Sequence, residues 1–427
     1  MASTYLTQTQ TSGNRRTFTV SLWFKKSNLS QHGVLFDAYP DSSSDFYIWL
    51  WNDDGLYINQ EVAGSGVWSL FTNRRFRDVN AWYHLVLAVD TTQATSSDRL
   101  KLYINGVQET SFSIETYPSL NYDSVVNNGN QLRIGARGSN QHYFSGSMAH
   151  YHFIDGTAYD ASYFGSTDAT TGIWKPNTSP SVTYGTNGFF LKFANSGSMG
   201  TDSSGNGNNF SVGAGTLTQT QDTPSNVFCT INPLSKGSVV TLSNGNTTIT
   251  NGATWASAMA TLAATKGKYY WENKVSSLGT VNCGITKTTQ DGTTHSSVDA
   301  GRIMYSSNGN VYTEGFSNVP DYSTGTTFTT NDIIGVALDL TNGTIKFYKN
   351  NTLIQTVTDS DISAYELTPA WGMNSGTFNV NFGNGYFGTT AVSSAESDGN
   401  GLGLFEYAPP TGYYALCTKS INSQEYS

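Results

Sequence analysis

Thr17-Phe18-Thr19-Val20-Ser21-Leu22-Trp23-Phe24 alternates polar and apolar side chains, the period-two signature of a strand with one face buried. The same grammar continues outward from it. Phe46-Tyr47-Ile48-Trp49-Leu50-Trp51, Asn52-Asp53-Asp54-Gly55 and Leu56-Tyr57-Ile58 read as strand, Asp-Gly turn and strand. Trp82 to Asp90 is a further strand, and Leu100-Lys101-Leu102-Tyr103-Ile104 ends on an Asn105-Gly106 turn. Composition agrees. Charged residues make up 12% of the 427, against about 25% in a typical soluble chain, while Gly (43), Tyr (25), Phe (22) and Trp (9) abound. Short twisted strands with aromatic cores use such residues, and the strong helix formers are scarce. The chain is expected to be all-β.

A second block repeats this logic between about residues 226 and 390. Asp332-Ile333-Ile334-Gly335-Val336-Ala337-Leu338-Asp339 precedes an Asn342-Gly343 turn and Thr344-Ile345-Lys346-Phe347-Tyr348. The stretch from Ala253 to Ala264 has helix propensity, but its all-β surroundings favour strand. The division expected is a sandwich over 1–165, a Gly/Ser/Asn-rich connector packed on it over 166–225, a second sandwich over 226–390 and a tail over 391–427. Leu404-Phe405 and Tyr413-Tyr414-Ala415-Leu416 make that tail too apolar to stay solvated. The tail is expected to pack against a sandwich or a neighbouring subunit, and a homo-oligomer such as a trimer is expected.

The net charge of −9 and the single basic cluster Arg74-Arg75-Phe76-Arg77 argue against a nucleic-acid partner. No run approaches the roughly 18 apolar residues of a membrane span, so no membrane insertion is expected. The N-terminal residues lack the pattern of a signal peptide. Cys229, Cys283 and Cys417 are odd in number and widely spaced, which suggests folding in a reducing cytoplasm.

The first block resembles the laminin-G-like, or concanavalin A-like, sandwich through Phe18 to Phe24, Trp82-Tyr83-His84-Leu85-Val86, Leu102-Tyr103-Ile104-Asn105-Gly106 and Leu132-Arg133-Ile134-Gly135. The second resembles the SPRY domain through Gly267-Lys268-Tyr269-Tyr270-Trp271-Glu272, Ile334 to Asp339, and Ile345 to Asn350. The fold class expected is therefore two concanavalin-like antiparallel β-sandwiches. The order of phrases is also similar to structural proteins of tailed bacteriophages: Tyr5-Leu6-Thr7, Phe153-Ile154-Asp155-Gly156-Thr157, Asp202-Ser203-Ser204-Gly205-Asn206-Gly207-Asn208, and Pro410-Thr411-Gly412-Tyr413-Tyr414. That resemblance implies a component of the virion exterior, assembled in the host cytoplasm beside other virion proteins, as a fibre, spike or capsid decoration.

Enzymatic motifs are weak. The three-acid strand that the glucanase relatives carry is absent; Asp359-Ser360-Asp361 and Glu396-Ser397-Asp398 lie in turn-like sequence. His150 and His152, at i and i+2, offer half of a metal site without a firm third ligand. Asp37, Asp41 and Asp45 form a candidate calcium loop, although a solvated loop accounts for them more simply. No Gly-x-Ser-x-Gly elbow and no phosphate-cradling loop is present. Binding hints come from aromatics in polar loops: Tyr47, Tyr122, His142 and Tyr143 in the first block, and Tyr305, Tyr312 and Tyr322 in the second, where SPRY partner surfaces are built. Most single rings are expected to serve packing. The function expected is non-enzymatic adhesion to host-surface glycans or proteins. The rivals are a purely architectural role and, less well supported, a polysaccharide depolymerase.

Overall fold

A computed structural model describes residues 3–252, 254–316 and 320–426. Ala253, which opens the helix-prone stretch, and residues 317–319, between Tyr312 and Tyr322, lie outside the described residues. The chain divides into two compact units, Met1–Gln219 and Thr220–Ser427.

In the first unit the strands are β1 (Tyr5–Thr9), β2 (Thr17–Lys26), β3 (Gly33–Asp41), β4 (Ser44–Leu50), β5 (Gly55–Val62), β6 (Ser65–Arg75), β7 (Tyr83–Asp90) and β8 (Leu100–Ile104). They continue as β9 (Val107–Gln108), β10 (Phe112–Thr116), β11 (Gln131–Ile134), β12 (Gly146–Asp155), β13 (Gly165–Thr167), β14 (Trp174–Pro176), β15 (Phe189–Leu191) and β16 (Ser211–Ala214). One sheet runs β10-β6-β5-β4-β3-β11-β1-β16 and the other β15-β12-β2-β7-β8-β9, with β13 and β14 as a separate hairpin.

Alternation in β2 sends Phe18, Val20, Leu22 and Phe24 into the core between the sheets, against Phe36, Phe46, Ile48, Leu85 and Leu87. Residues of the connector supply β15 beside β12 and β16 beside β1. The Asn105-Gly106 turn has φ of +50° and +81°, as a two-residue turn between β8 and β9 requires.

The second unit is also a sandwich. Seven strands follow the order Ile231–Lys236, Ala256–Ala260, Leu367–Met373, Val281–Lys287, Arg302–Ser306, Asn310–Tyr312, Tyr322–Ser323. The facing sheet runs Thr241–Ser243, Thr248–Asn251, Gly376–Asn381, Lys268–Ser277, Ile333–Asp339, Thr344–Lys349, Thr352–Thr358. Trp271, Trp371, Tyr305, Phe347 and Phe378 fill the space between them. The helix-prone alanine segment is a strand over its middle, with Ala256 and Ala258 in the core.

The tail folds onto its own unit. Tyr414–Ala415 pairs in parallel with Tyr269 and Tyr270, and Phe405, Tyr413, Ala415 and Cys417 pack on Phe228, Tyr270 and Ala337. Two carboxylates hold it. Glu272, fully buried, accepts backbone N–H bonds from Glu406 and Tyr407, both at 2.9 Å. Asp398 accepts those of Leu402, Gly403 and Ala415 at 2.9, 3.0 and 2.8 Å. The tail's apolar residues are thus covered within the chain, and they carry no argument for a trimer.

Candidate functional site: the outer face of the first sandwich

Register assembles the site. Side chains that face away from the core on β5, β4, β3, β11, β1 and β16 fall into one row, Asn59–Tyr47–Asp37–Arg133–Thr7–Ser211. Beside it, Asp45 pairs with Glu61, Trp49 with Tyr57 and Gln131 with Thr9. Residues 135–145, between β11 and β12, cross this face as a strap. Gly138 donates its N–H to Asp37 Oδ2. A Cβ at Gly138 would lie 1.9 Å from the Tyr39 ring, so only glycine lets the strap lie this close. Arg137 donates to Asp45 Oδ2 at 2.8 Å, reaches Glu61 at 3.5 Å and lies over the rings of Tyr47 and Trp49. Tyr47 in turn donates to Glu61 at 3.1 Å and accepts from Asn59 at 2.8 Å.

Burial dominates the electrostatics. It pushes the Asp37 carboxyl up to about 8, with the neighbouring charge of Asp45 adding to the shift. Asp45 is pushed up to about 6, because burial outweighs the opposing pull of Arg137. At neutral pH Asp37 therefore holds its proton and Asp45 is the charged partner of Arg137.

Rings form a shelf at one end of the face. His32 meets Trp51 edge-on at 4.6 Å and His142 at 4.9 Å, and His142 lies 4.4 Å from Trp49. Trp51, Tyr57, His32 and His142 are half-buried, while Trp49 and Tyr47 lie beneath. Burial lowers the pKa of both histidines, so both are neutral rings near pH 7. Five buried polar atoms under the shelf and strap lack a partner among the described residues: Asp37 Oδ1, Asp45 Oδ1, Asn59 Oδ1, Trp49 Nε1 and His32 Nδ1. Such atoms are costly unless hydroxyl groups or water reach them.

Of the residues singled out in the sequence, Tyr47, His142 and Tyr143 meet here, Tyr143 against Tyr5 at 6.3 Å. Tyr122 does not. It is packed against the core, away from this face. The calcium loop is not formed: Asp41 is exposed and caps Ser43 through its N–H and hydroxyl, whereas Asp37 and Asp45 lie under the strap. Among the described residues no group of three His, Cys, Asp or Glu is placed to hold a metal ion. His150 and His152 both stack on Phe190, and His152 is bonded to the Tyr184 hydroxyl. Trp51, Tyr57, Glu61 and Arg137 were missed; the outward alternation of 47, 49 and 51 pointed to Trp51 alone.

The profile of the concanavalin A-like lectin/glucanases superfamily matches residues 1–162, and that of the SPRY domain matches residues 268–385. The chain carries a concanavalin A-like domain followed by a SPRY domain. Among solved structures it is similar to the SPRY domain of human HERC1, at 21% identity over 35% of this chain and 96% of that one, with a TM-score of 0.30. It is also similar to the TRIM65 PSpry domain, at 15% identity over 36% and 88%, with a TM-score of 0.29. No curated protein matches the chain in sequence. Both domain types point to a binding function.

In the SPRY domain the sequence expectation needs correction. Tyr305 is fully buried between Phe328 and Phe347 and donates to the Thr326 carbonyl, so it cannot offer a ring to a partner. Tyr322 is half-buried against the core. Tyr312 remains at the surface, under the Arg302 guanidinium and accepting from Asn308.

Two serine–histidine contacts escaped the sequence reading. Ser257 Oγ lies 2.9 Å from His295 Nδ1, and His295 Nε2 lies 3.2 Å from Asp299, but Ser257 is fully buried beneath them. Ser21 Oγ lies 3.0 Å from His84 Nε2, while His84 Nδ1 accepts the Trp174 indole N–H at 2.9 Å. That bond places the imidazole proton on Nε2, so His84 donates to Ser21 and cannot take its proton.

Proposed function

We propose that the chain is a non-enzymatic adhesion protein on the outside of a bacteriophage particle, and that its concanavalin A-like domain holds host-surface glycans on the outer face of the larger sheet. The observation that carries the reading is the ring shelf of His32, Trp51, Tyr57 and His142, with Glu61 and Arg137 at its side. Stacked rings next to fixed polar groups suit the apolar faces and hydroxyl rims of sugars. The non-enzymatic part of the reading is supported by the burial of Ser257 and Asp37 and by the tautomer of His84, which donates to Ser21. The place on a particle rests on the bacteriophage-like phrases, from Tyr5-Leu6-Thr7 to Pro410-Thr411-Gly412-Tyr413-Tyr414.

A glycan array probed with the whole chain tests the binding. Bound glycans should lose affinity about tenfold in Trp51→Ala, the worth of one stacked ring. An array on which nothing binds overturns the reading. Reducing-sugar release from a bound polysaccharide would overturn the non-enzymatic part, and failure of antibodies to label intact virions would overturn the location.

A further inference from the structure

The row that begins under the ring shelf does not stop there. Beyond Asp37 and Arg133 it reaches a groove of about 470 Å3 lined by Thr7, Thr9, Gln131, Asn208, Asn209 and Ser211. Every one of these side chains is uncharged and hydrogen-bonding. Part of the lining is already committed. Asn208 donates to the carbonyls of Thr186 and Gly188, Asn209 accepts from the Asp202 N–H, and Gln131 Oε1 accepts from Arg133. These bonds fix the walls and leave the Gln131 amide N–H2 and the exposed Thr9 and Ser211 hydroxyls for a ligand.

Among the described residues, the two arginines between shelf and groove are held by other partners. Arg133 is spent on Gln131, Asn140, the Arg137 carbonyl and the Tyr5 ring, and Arg137 on Asp45 and Glu61. The next charge along the row, Arg133, is only 9% exposed, and Asp37 beyond it keeps its proton. Three strand spacings, about 14 Å, separate Trp49 on β4 from Thr7 on β1, so one sugar ring cannot touch both ends.

We propose that this groove is a second carbohydrate subsite, taking an uncharged, hydroxyl-rich stretch of the same glycan chain that stacks on the ring shelf. The proposal rests on the glycan reading of that shelf and adds length and charge to it. Titration calorimetry on the full chain tests it, with neutral manno-, malto- and cello-oligosaccharides as disaccharide and hexasaccharide, and oligogalacturonate as the acidic probe. For the neutral series that binds, the hexasaccharide should be at least about tenfold tighter than the disaccharide, as expected when a second contact becomes intramolecular. Thr9→Glu and Ser211→Glu, both at exposed positions, should each bring the hexasaccharide down to the disaccharide level. Neither should change disaccharide binding or the melting temperature, whereas Trp51→Ala should weaken both lengths.

A hexasaccharide no tighter than the disaccharide, or unaffected by both glutamate variants, overturns the subsite and leaves the ring shelf standing. Oligogalacturonate bound as tightly as the neutral hexasaccharide overturns the charge selection. Absence of binding by every probe overturns the subsite together with the reading it rests on.

Discussion

Arg137 meets Asp45 at 2.7 Å, ninety-two positions away in sequence, and Asp45 is 1% exposed at that contact. The pair fastens the strap to the sheet. Removing the arginine leaves a buried carboxylate without its cation, which costs more than the pair itself contributes. Because Arg137 keeps some solvent contact, Arg137→Ala should lower the stability of the first unit by about 2–4 kcal/mol. Adding Asp45→Asn to that variant should recover part of the loss, since the orphaned charge is then gone. Urea unfolding of the two variants checks this; a double variant no more stable than the single one contradicts it.

Glu272 gives the second unit a pH dependence of defined sign. Burial pushes its carboxyl up to about 7 from 4.5, against the backbone N–H groups of Glu406 and Tyr407 that favour the charge. Between those two values the folded state keeps a proton that the unfolded chain has released. Stability therefore falls as pH rises through this window, by up to about 1.4 kcal/mol per unit. Glu272→Gln should flatten the profile between pH 5 and 7 relative to wild type. Parallel profiles for the two proteins would show that the tail clamp is ionised throughout.

The strands were readable because alternation is local, and β2 sends inward the phenylalanines its pattern assigns there. The site was only half readable for the converse reason. Asp37, Arg137 and Glu61 come together through strand register and a loop crossing, and nothing near any one of them in sequence announces the others. Asp37, Asp41 and Asp45 looked like one loop; the β3–β4 hairpin instead turns Asp41 to solvent and the other two under the strap. Tyr305 shows the same limit. The SPRY resemblance implied a partner-binding loop there, but pairing with Cys283 sets it on the inner face of its strand.

Gly106 is held by two separate constraints. Its φ of +81° strains any residue with a Cβ, and a Cβ there would lie 2.6 Å from the Trp174 ring. Gly106→Val should destabilise the first unit by about 2–4 kcal/mol, combining turn strain with overpacking. Calorimetry should show the shift in one transition, with the other in place. Trp174 fluorescence should change with it, because the indole is pushed off the His84 nitrogen it now bonds. A shift under about half a kcal/mol would mean that the turn and the hairpin carrying Trp174 adapt to the side chain.

Asp398 ties the tail by closing its own loop. Its two oxygens accept three backbone N–H groups, from Leu402, Gly403 and Ala415, at a site 5% exposed to solvent. Asp398→Ala removes every acceptor at once and leaves the buried donors of Gly403 and Ala415 unpaired, which should cost the second unit about 2–3 kcal/mol. The loosened tail would uncover Phe405 and Tyr413, so binding of an apolar dye should rise before global unfolding. Because Glu272 holds the same segment through Glu406 and Tyr407, the losses in Asp398→Ala and Glu272→Gln should sum to more than the loss in the double variant. Once the tail has come away, the second clamp has nothing left to hold. Strict additivity in urea titrations would instead mean that the two carboxylates stabilise separate pieces of chain.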